Sequence, residues 1–229
     1  MRYTTILFDA DDTLLDFGAA EREAITSVLR GYRLPYGEDV IEEYSRINIG
    51  FWKMLERGEI KKDELKYRRF EAFCEHFGFK VDAREMATAY MNALSGQNPL
   101  IDGALEICER LYGKCRLYII TNGIKFIQEG RFSNSPLIKY FDGSFISETI
   151  GHDKPSREYF EAVECAIPDF DRKTTLVVGD SLTSDIKGGI NYGLDTCWFN
   201  PKGKARPEDM EMTYEIKSLD EIFNIVTGE

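Results

Sequence analysis

Three runs of apolar, β-rich residues stop abruptly at a polar one: Thr4-Thr5-Ile6-Leu7-Phe8 at Asp9, Leu117-Tyr118-Ile119-Ile120 at Thr121-Asn122, and Thr175-Leu176-Val177-Val178 at Gly179-Asp180. Unbroken apolar runs of this kind suit strands covered on both faces, as in a parallel sheet between helices. Weaker strand candidates lie at Ser144–Ser147, Thr196–Asn200 and Tyr214–Lys217. Between them, helical spacing predicts helices through Leu105/Cys108/Leu111/Tyr112, Tyr159/Phe160/Val163, Ile186 to Tyr192 and Leu219 to Val226. This alternation predicts the α/β class: a doubly wound, Rossmann-like parallel sheet whose strands all end on one edge.

Residues 16–98 carry no strand pattern. Apolar positions repeat at helical spacing in Ala24/Ile25/Val28/Leu29/Tyr32, Tyr44/Ile47/Phe51/Trp52/Leu55, Phe70/Phe73/Cys74/Phe77 and Met86/Ala87/Tyr90/Met91/Leu94. Pro35, Gly58 and Gly78 punctuate them, and Asp82 followed by Glu85 marks a helix start. The expectation is an all-α cap of residues 16–98 inserted into an α/β core of residues 1–15 and 99–229. Asp16-Phe17-Gly18 is the expected hinge. The cap's basic residues Lys61, Lys62, Lys66, Arg68 and Arg69 alternate with acids and predict a solvated helix face.

Composition narrows the function. The 229 residues are 43% hydrophobic and 30% charged, a globular balance, and the net charge of −11 disfavours nucleic-acid polymers and anionic membranes. Five cysteines without a C-x-x-C pair and only two histidines make a zinc site improbable and suit reduced thiols. No apolar run reaches the roughly 18 residues a membrane span needs. A soluble cytoplasmic protein is expected.

Ligands of open α/β sheets bind at the carboxyl ends of the strands. Those ends carry Asp9, Asp11, Asp12 and Thr13, then Thr121 and Asn122, then Asp180 with Asp185. A single terminal Asp is an ordinary turn former. Several converging carboxylates repel one another, and a hard divalent cation relieves that; oxygen donors beside an anionic substrate point to Mg²⁺. Lys154, in a loop before Pro155-Ser156 at a helix start, is placed to act as a phosphate-binding charge. A carboxylate nucleophile, a cation, a lysine and a hydroxyl together form a phosphoryl-transfer site.

Asp9-Ala10-Asp11-Asp12-Thr13 resembles the D-x-D-x-T motif of the haloacid dehalogenase (HAD) superfamily. Thr121-Asn122-Gly123 resembles its second motif, Lys154 its third, and Gly179-Asp180 with Asp185 its fourth, in order and over nearly the whole chain. The helical insertion looks like a C1 cap. Phe8 to Leu14 with this cap length is similar to the YjjG/YfnB-like branch, whose better-known members are pyrimidine-preferring nucleoside 5′-monophosphate phosphatases.

The resemblance implies a mechanism. Asp9 attacks phosphorus to form an aspartyl-phosphate; Asp11 protonates the leaving alkoxide and then activates water. Mg²⁺ is held by Asp9, the Asp11 backbone carbonyl and Asp180. Asp185 and Thr13 support these groups from behind, while Thr121, the Asn122 backbone and Lys154 stabilise the phosphoryl oxygens. The cap would read a small phosphorylated substrate, a nucleoside monophosphate, through Phe17, Asn48 and Trp52, an aromatic stacking on the base and Asn48 meeting its edge. Core packing is the competing role for Asn48, Phe51 and Trp52.

Rival readings use the same residues. An EF-hand fails, because Thr13 and Leu14 stand where it needs Asp/Asn and Gly. A receiver domain has no use for the long cap. A phosphosugar mutase or sugar-phosphate phosphatase of the same fold remains an alternative, as does a non-catalytic HAD-like regulator, though the latter would not need both Asp9 and Asp11.

Overall fold

The computed structural model describes residues 1–228. Its elements run β1 (Thr5–Asp9), α1 (Phe17–Gly31), α2 (Glu38–Glu56), α3 (Lys62–Phe77), α4 (Ala83–Ser95), α5 (Ala104–Leu111), β2 (Arg116–Thr121), α6 (Lys125–Ser133), β3 (Gly143–Ile146), α7 (Ser147–Ile150), α8 (Arg157–Ala166), β4 (Thr175–Gly179), α9 (Lys187–Tyr192), β5 (Asp195–Phe199), β6 (Tyr214–Ile216) and α10 (Glu221–Thr227). The strands form one parallel sheet in the order β3-β2-β1-β4-β5-β6. β1 is central, with Asp9 opposite Ile120 and Phe8 opposite Val178. The three polar strand ends of the sequence therefore lie on neighbouring strands, at one edge, roughly 5 Å apart from strand to strand.

Side-chain alternation divides the core between the two faces of the sheet. Ile6, Phe8, Ile119, Leu176 and Val178 pack with Ile107 and Leu111 of α5 and Ile222 and Val226 of α10. Leu7, Ile120 and Val177 face the other way, onto Tyr159, Phe160 and Val163 of α8. Gly189 lets α9 press against the sheet: a Cβ there would stand 2.5 Å from Thr196 Cγ2.

The four helices α1–α4 surround a separate apolar cluster, centred on Tyr44, Phe70, Phe73 and Tyr90. The rings of Tyr44, Phe70 and Tyr90 lie 5.2 Å apart between centroids, the range in which aromatic pairs attract. Ile124 and Ile127, from the start of α6 and the loop before it, extend this cluster onto the sheet domain. The two chain crossings run side by side, with Leu15 bridged to Leu100 and Asp16 N–H donating to Pro99 O at 2.9 Å. Asp16 caps α1 and Asp82 caps α4, each accepting from first-turn N–H groups. No helix of the described residues is long and apolar enough to cross a membrane.

The expected solvated face of α3 holds only for Lys61 and Arg68, which are exposed. Lys62 Nζ donates to Asn122 O (3.0 Å), Ser147 Oγ (2.6 Å) and Asp153 Oδ1 (2.6 Å), and Lys66 pairs with Glu148 at 2.7 Å. Arg69 is buried. Local acid–base alternation finds Asp63 as a partner of Lys66, at 3.0 Å, but not Glu148 and Ser147 of the distant α7 or Asn122 and Asp153 from the loops after β2 and α7.

Candidate active site

Asp9, Thr121 and Gly179 end β1, β2 and β4, with Asp180 one residue beyond. Lys154 enters between them from the loop before α8. Its ammonium donates to Asp9 Oδ1 (2.7 Å), Asp185 Oδ1 (2.7 Å) and Ile120 O (3.0 Å), which uses all three protons. The loop is clamped to β2: Asn122 Nδ2 donates to Lys154 O and Lys154 N–H to Asn122 Oδ1, both at 2.8 Å. Tyr159 OH donates to Phe145 O at 2.7 Å and accepts from Thr121 N–H at 3.1 Å. Ser156 caps α8 as expected.

Thr13 ties two of the acids together, its hydroxyl donating to Asp9 Oδ2 (3.3 Å) and accepting from Asp180 N–H (3.1 Å). Asp185 Oδ2 accepts from Ser181 N–H at 3.2 Å, so both oxygens of Asp185 are engaged by protein donors. Only glycine at 179 permits that approach, because a Cβ would stand 2.3 Å from Asp185 Oδ2. Thr121 Oγ1 accepts from Gly123 N–H at 3.0 Å, which leaves its own proton to donate.

Carboxylate oxygens of Asp9, Asp180 and Asp185 lie within 4.8 Å of one another. Lys154 pairs directly with Asp9 and Asp185, and Lys204 adds a more distant positive charge near Asp180, against three acids. Burial alone would favour a neutral amine at Lys154, but Asp185 and Asp9 outweigh it and raise its pKa. Burial and the neighbouring Asp185 hold the Asp9 carboxyl well above the usual range, against the pull of Lys154. Burial, then Asp185 and Asp12, push Asp180 up to about 7. Such uncompensated negative charge, offered by oxygen donors, fits a hard divalent cation. Asp180 is fixed through its backbone, with its C=O accepting from Trp198 Nε1 at 2.9 Å, so its carboxylate is available to an ion.

The Asp11 side chain turns away from this cluster. Its Oδ2 accepts from Gln128 Nε2 at 2.5 Å, and its Oδ1 pairs with the Arg131 guanidinium. Arg131 Nε donates to Gln97 O at 2.8 Å, and both Gln128 and Arg131 are buried. A Cβ at Gly123 would stand 2.1 Å from Gln128 Nε2. Sequence reasoning missed both residues. Their signal was position: they sit on the helix that follows Thr121-Asn122-Gly123, at positions 128 and 131, one helical turn apart.

Of the three cap candidates, Phe17 and Trp52 line a cavity of about 20 Å³ together with Asp11, Arg69, Gln128 and Arg131. Trp52 also borders a cleft of about 720 Å³ that reaches Asn122, His152 and Lys154. Asn48 does not line either space. It is buried, its Oδ1 accepting from Arg69 Nη1 and its Nδ2 donating to Glu21 Oε1, both at 2.6 Å. Its polar atoms are committed within the cap, and it is Arg69, its hydrogen-bond partner, that lines the cavity.

The family model of the haloacid dehalogenase-like hydrolases matches residues 3–193. The chain is 41% identical to the HAD-hydrolase YfnB of Bacillus subtilis over 100% of this chain and 97% of that one. It is 38% identical to the pyrimidine 5′-nucleotidase PynA of Streptococcus pneumoniae (98% and 95% covered) and 32% identical to the pyrimidine 5′-nucleotidase YjjG of Escherichia coli (97% of each). The crystal structure of YfnB bound to magnesium, which reveals interdomain movement, superposes with a TM-score of 0.93 over 99% of both chains. The parallel sheet, the acids and lysine gathered at its carboxyl edge, and these matches make one conclusion: the chain belongs to the haloacid dehalogenase-like hydrolases.

Proposed function

We propose that the protein is a Mg²⁺-dependent phosphomonoester hydrolase of the cytoplasm whose substrates are nucleoside 5′-monophosphates, pyrimidine nucleotides foremost. The observation that carries this reading is the convergence of Asp9, Asp180 and Lys154 at one strand edge, with Asp11 two residues from Asp9. Similarity to the pyrimidine 5′-nucleotidases PynA and YjjG supports the pyrimidine preference, and five unbridged cysteines suit a reducing compartment.

Asp9, Asp180 and the Asp11 backbone carbonyl would hold the ion, which when bound neutralises charge on the phosphoryl group and the acids around it. An Asp9 carboxylate oxygen attacks phosphorus, and the bond from phosphorus to the ester oxygen breaks. The Asp11 carboxyl gives its proton to the departing alkoxide. As carboxylate, Asp11 then takes a proton from water; the water oxygen bonds to phosphorus, the Asp9–phosphorus bond breaks, and phosphate leaves. Gln128 and Arg131 fix the Asp11 carboxylate in space between these roles. The Thr121 hydroxyl donates to an equatorial oxygen, such a donor being typically worth ~3 kcal/mol, while Lys154, its protons held by Asp9, Asp185 and Ile120 O, stabilises the phosphoryl charge as a fixed positive charge.

A panel of phosphomonoesters tests the reading. Phosphate release should be fastest from uridine or thymidine 5′-monophosphate, cease with EDTA and return with Mg²⁺. Hydrolysis indifferent to chelation contradicts the cation site, and isomerisation of a sugar 1-phosphate without phosphate release identifies a mutase instead.

A further inference from the structure

Arg69 is 1% exposed and its guanidinium lies over the Phe70 and Tyr90 rings, yet among the described residues only its Nη1 has a hydrogen-bond partner. Its Nε and Nη2 donors are buried without hydrogen bonds. Leaving a buried donor unmade costs about 1–3 kcal/mol, more for a charged group. Such donors persist where a ligand completes them, and Arg69 lines the same cavity as Asp11. The chain holds Arg69 in this pose through a relay from three cap helices: Glu21 on α1 fixes the amide of Asn48 on α2, which fixes Arg69 on α3.

We propose that Arg69, positioned by Asn48 and Glu21, is the specificity-determining residue that reads a ring carbonyl oxygen of the substrate's base. This rests on the nucleotidase reading above. The formal charges around the cavity balance, with Arg69 offset by Glu21 and Arg131 by Asp11. A neutral, acceptor-bearing group therefore suits it better than a carboxylate or a second phosphate. Uracil and thymine offer two keto oxygens, cytosine one and adenine none. Phe17 and Trp52 supply aromatic walls beside the donors. At about 20 Å³ the cavity holds about one water, so a base enters only as the cap lifts from the core.

The test uses uridine 5′-monophosphate and two analogues, each with one ring carbonyl replaced by C–H. Removing the recognised oxygen should lower kcat/KM of the native enzyme by about 10- to 100-fold, the worth of a hydrogen bond from a charged donor. In Arg69→Gln the uridine-to-analogue ratio should collapse to about one, because the oxygen no longer has its donor. A purely structural Arg69 would slow every substrate and preserve the ratio. If burying an unpaired Glu21 prevents folding, Glu21→Gln/Arg69→Gln removes both charges and reads the same ratio. The proposal is overturned if both analogues match uridine monophosphate in the native enzyme, or if the ratio survives in the variant. Failure of the underlying reading looks different: the native enzyme then shows no preference for pyrimidine nucleotides at all.

Discussion

Asparagine in place of Asp9 should lower kcat by roughly 10⁴-fold or more, the usual cost of removing the nucleophile of a covalent mechanism. The amide is nearly isosteric, and its carbonyl still accepts from Lys154, whose other carboxylate partner at 2.7 Å, Asp185, is untouched. The variant also relieves charge crowding, since Asp9 is held well above its ordinary pKa by burial and Asp185. Without metal it should therefore unfold in urea at the same or a higher midpoint than the native protein. Nucleotide hydrolysis within tenfold of the native rate would remove Asp9 from the reaction.

Lys154→Met should produce the largest loss of stability. Among the described residues Lys154 is the one ammonium hydrogen-bonded to Asp9 and Asp185, and its side chain is 1% exposed. Deleting one partner of a buried pair leaves the other charges uncompensated, at about 3–5 kcal/mol. For a chain of this size that lowers Tm by roughly 6–20 °C. The loss has a pH signature. A carboxyl whose folded pKa is raised contributes full stability below its unfolded pKa, near 4, and loses it as pH rises through the folded value. Asp180, with a folded value of about 7, already acts in this direction. Asp9, already held well above its usual range in the native protein, acts the same way and rises further without the downward pull of Lys154, so the deficit of the variant should widen from about pH 4 to neutrality and beyond. Denaturation curves across that range check it; a deficit that narrows as pH rises contradicts the placement of Lys154.

The sheet and its chemistry were legible because both are written locally. An apolar run covered on both faces can end only where the chain leaves the sheet, so Asp9, Thr121 and Asp180 announced their positions at strand ends before any fold was known. Where structure depends on distant partners, the reading failed. Arg69 looked solvated because its neighbours in sequence are charged, yet its partner Asn48 and the supporting Glu21 come from two other helices. Gln128 and Arg131 share α6 with exposed residues such as Phe126, and only the folded position of Asp11 draws them inward. Tyr112 continued the apolar spacing of α5 but is exposed, because the helix ends at Leu111 and Gly113 turns the chain at φ 72°.

Passage of the phosphoryl group through a covalent bond to Asp9 would leave a chemical trace. Acid quenching during turnover of uridine monophosphate, followed by borohydride reduction and peptide mass spectrometry, tests it directly. An aspartyl-phosphate is reduced to homoserine, and that residue is expected at position 9 alone, absent when substrate is omitted. Active enzyme that yields no modification there, or carries it at another residue, rules out Asp9 as the nucleophile.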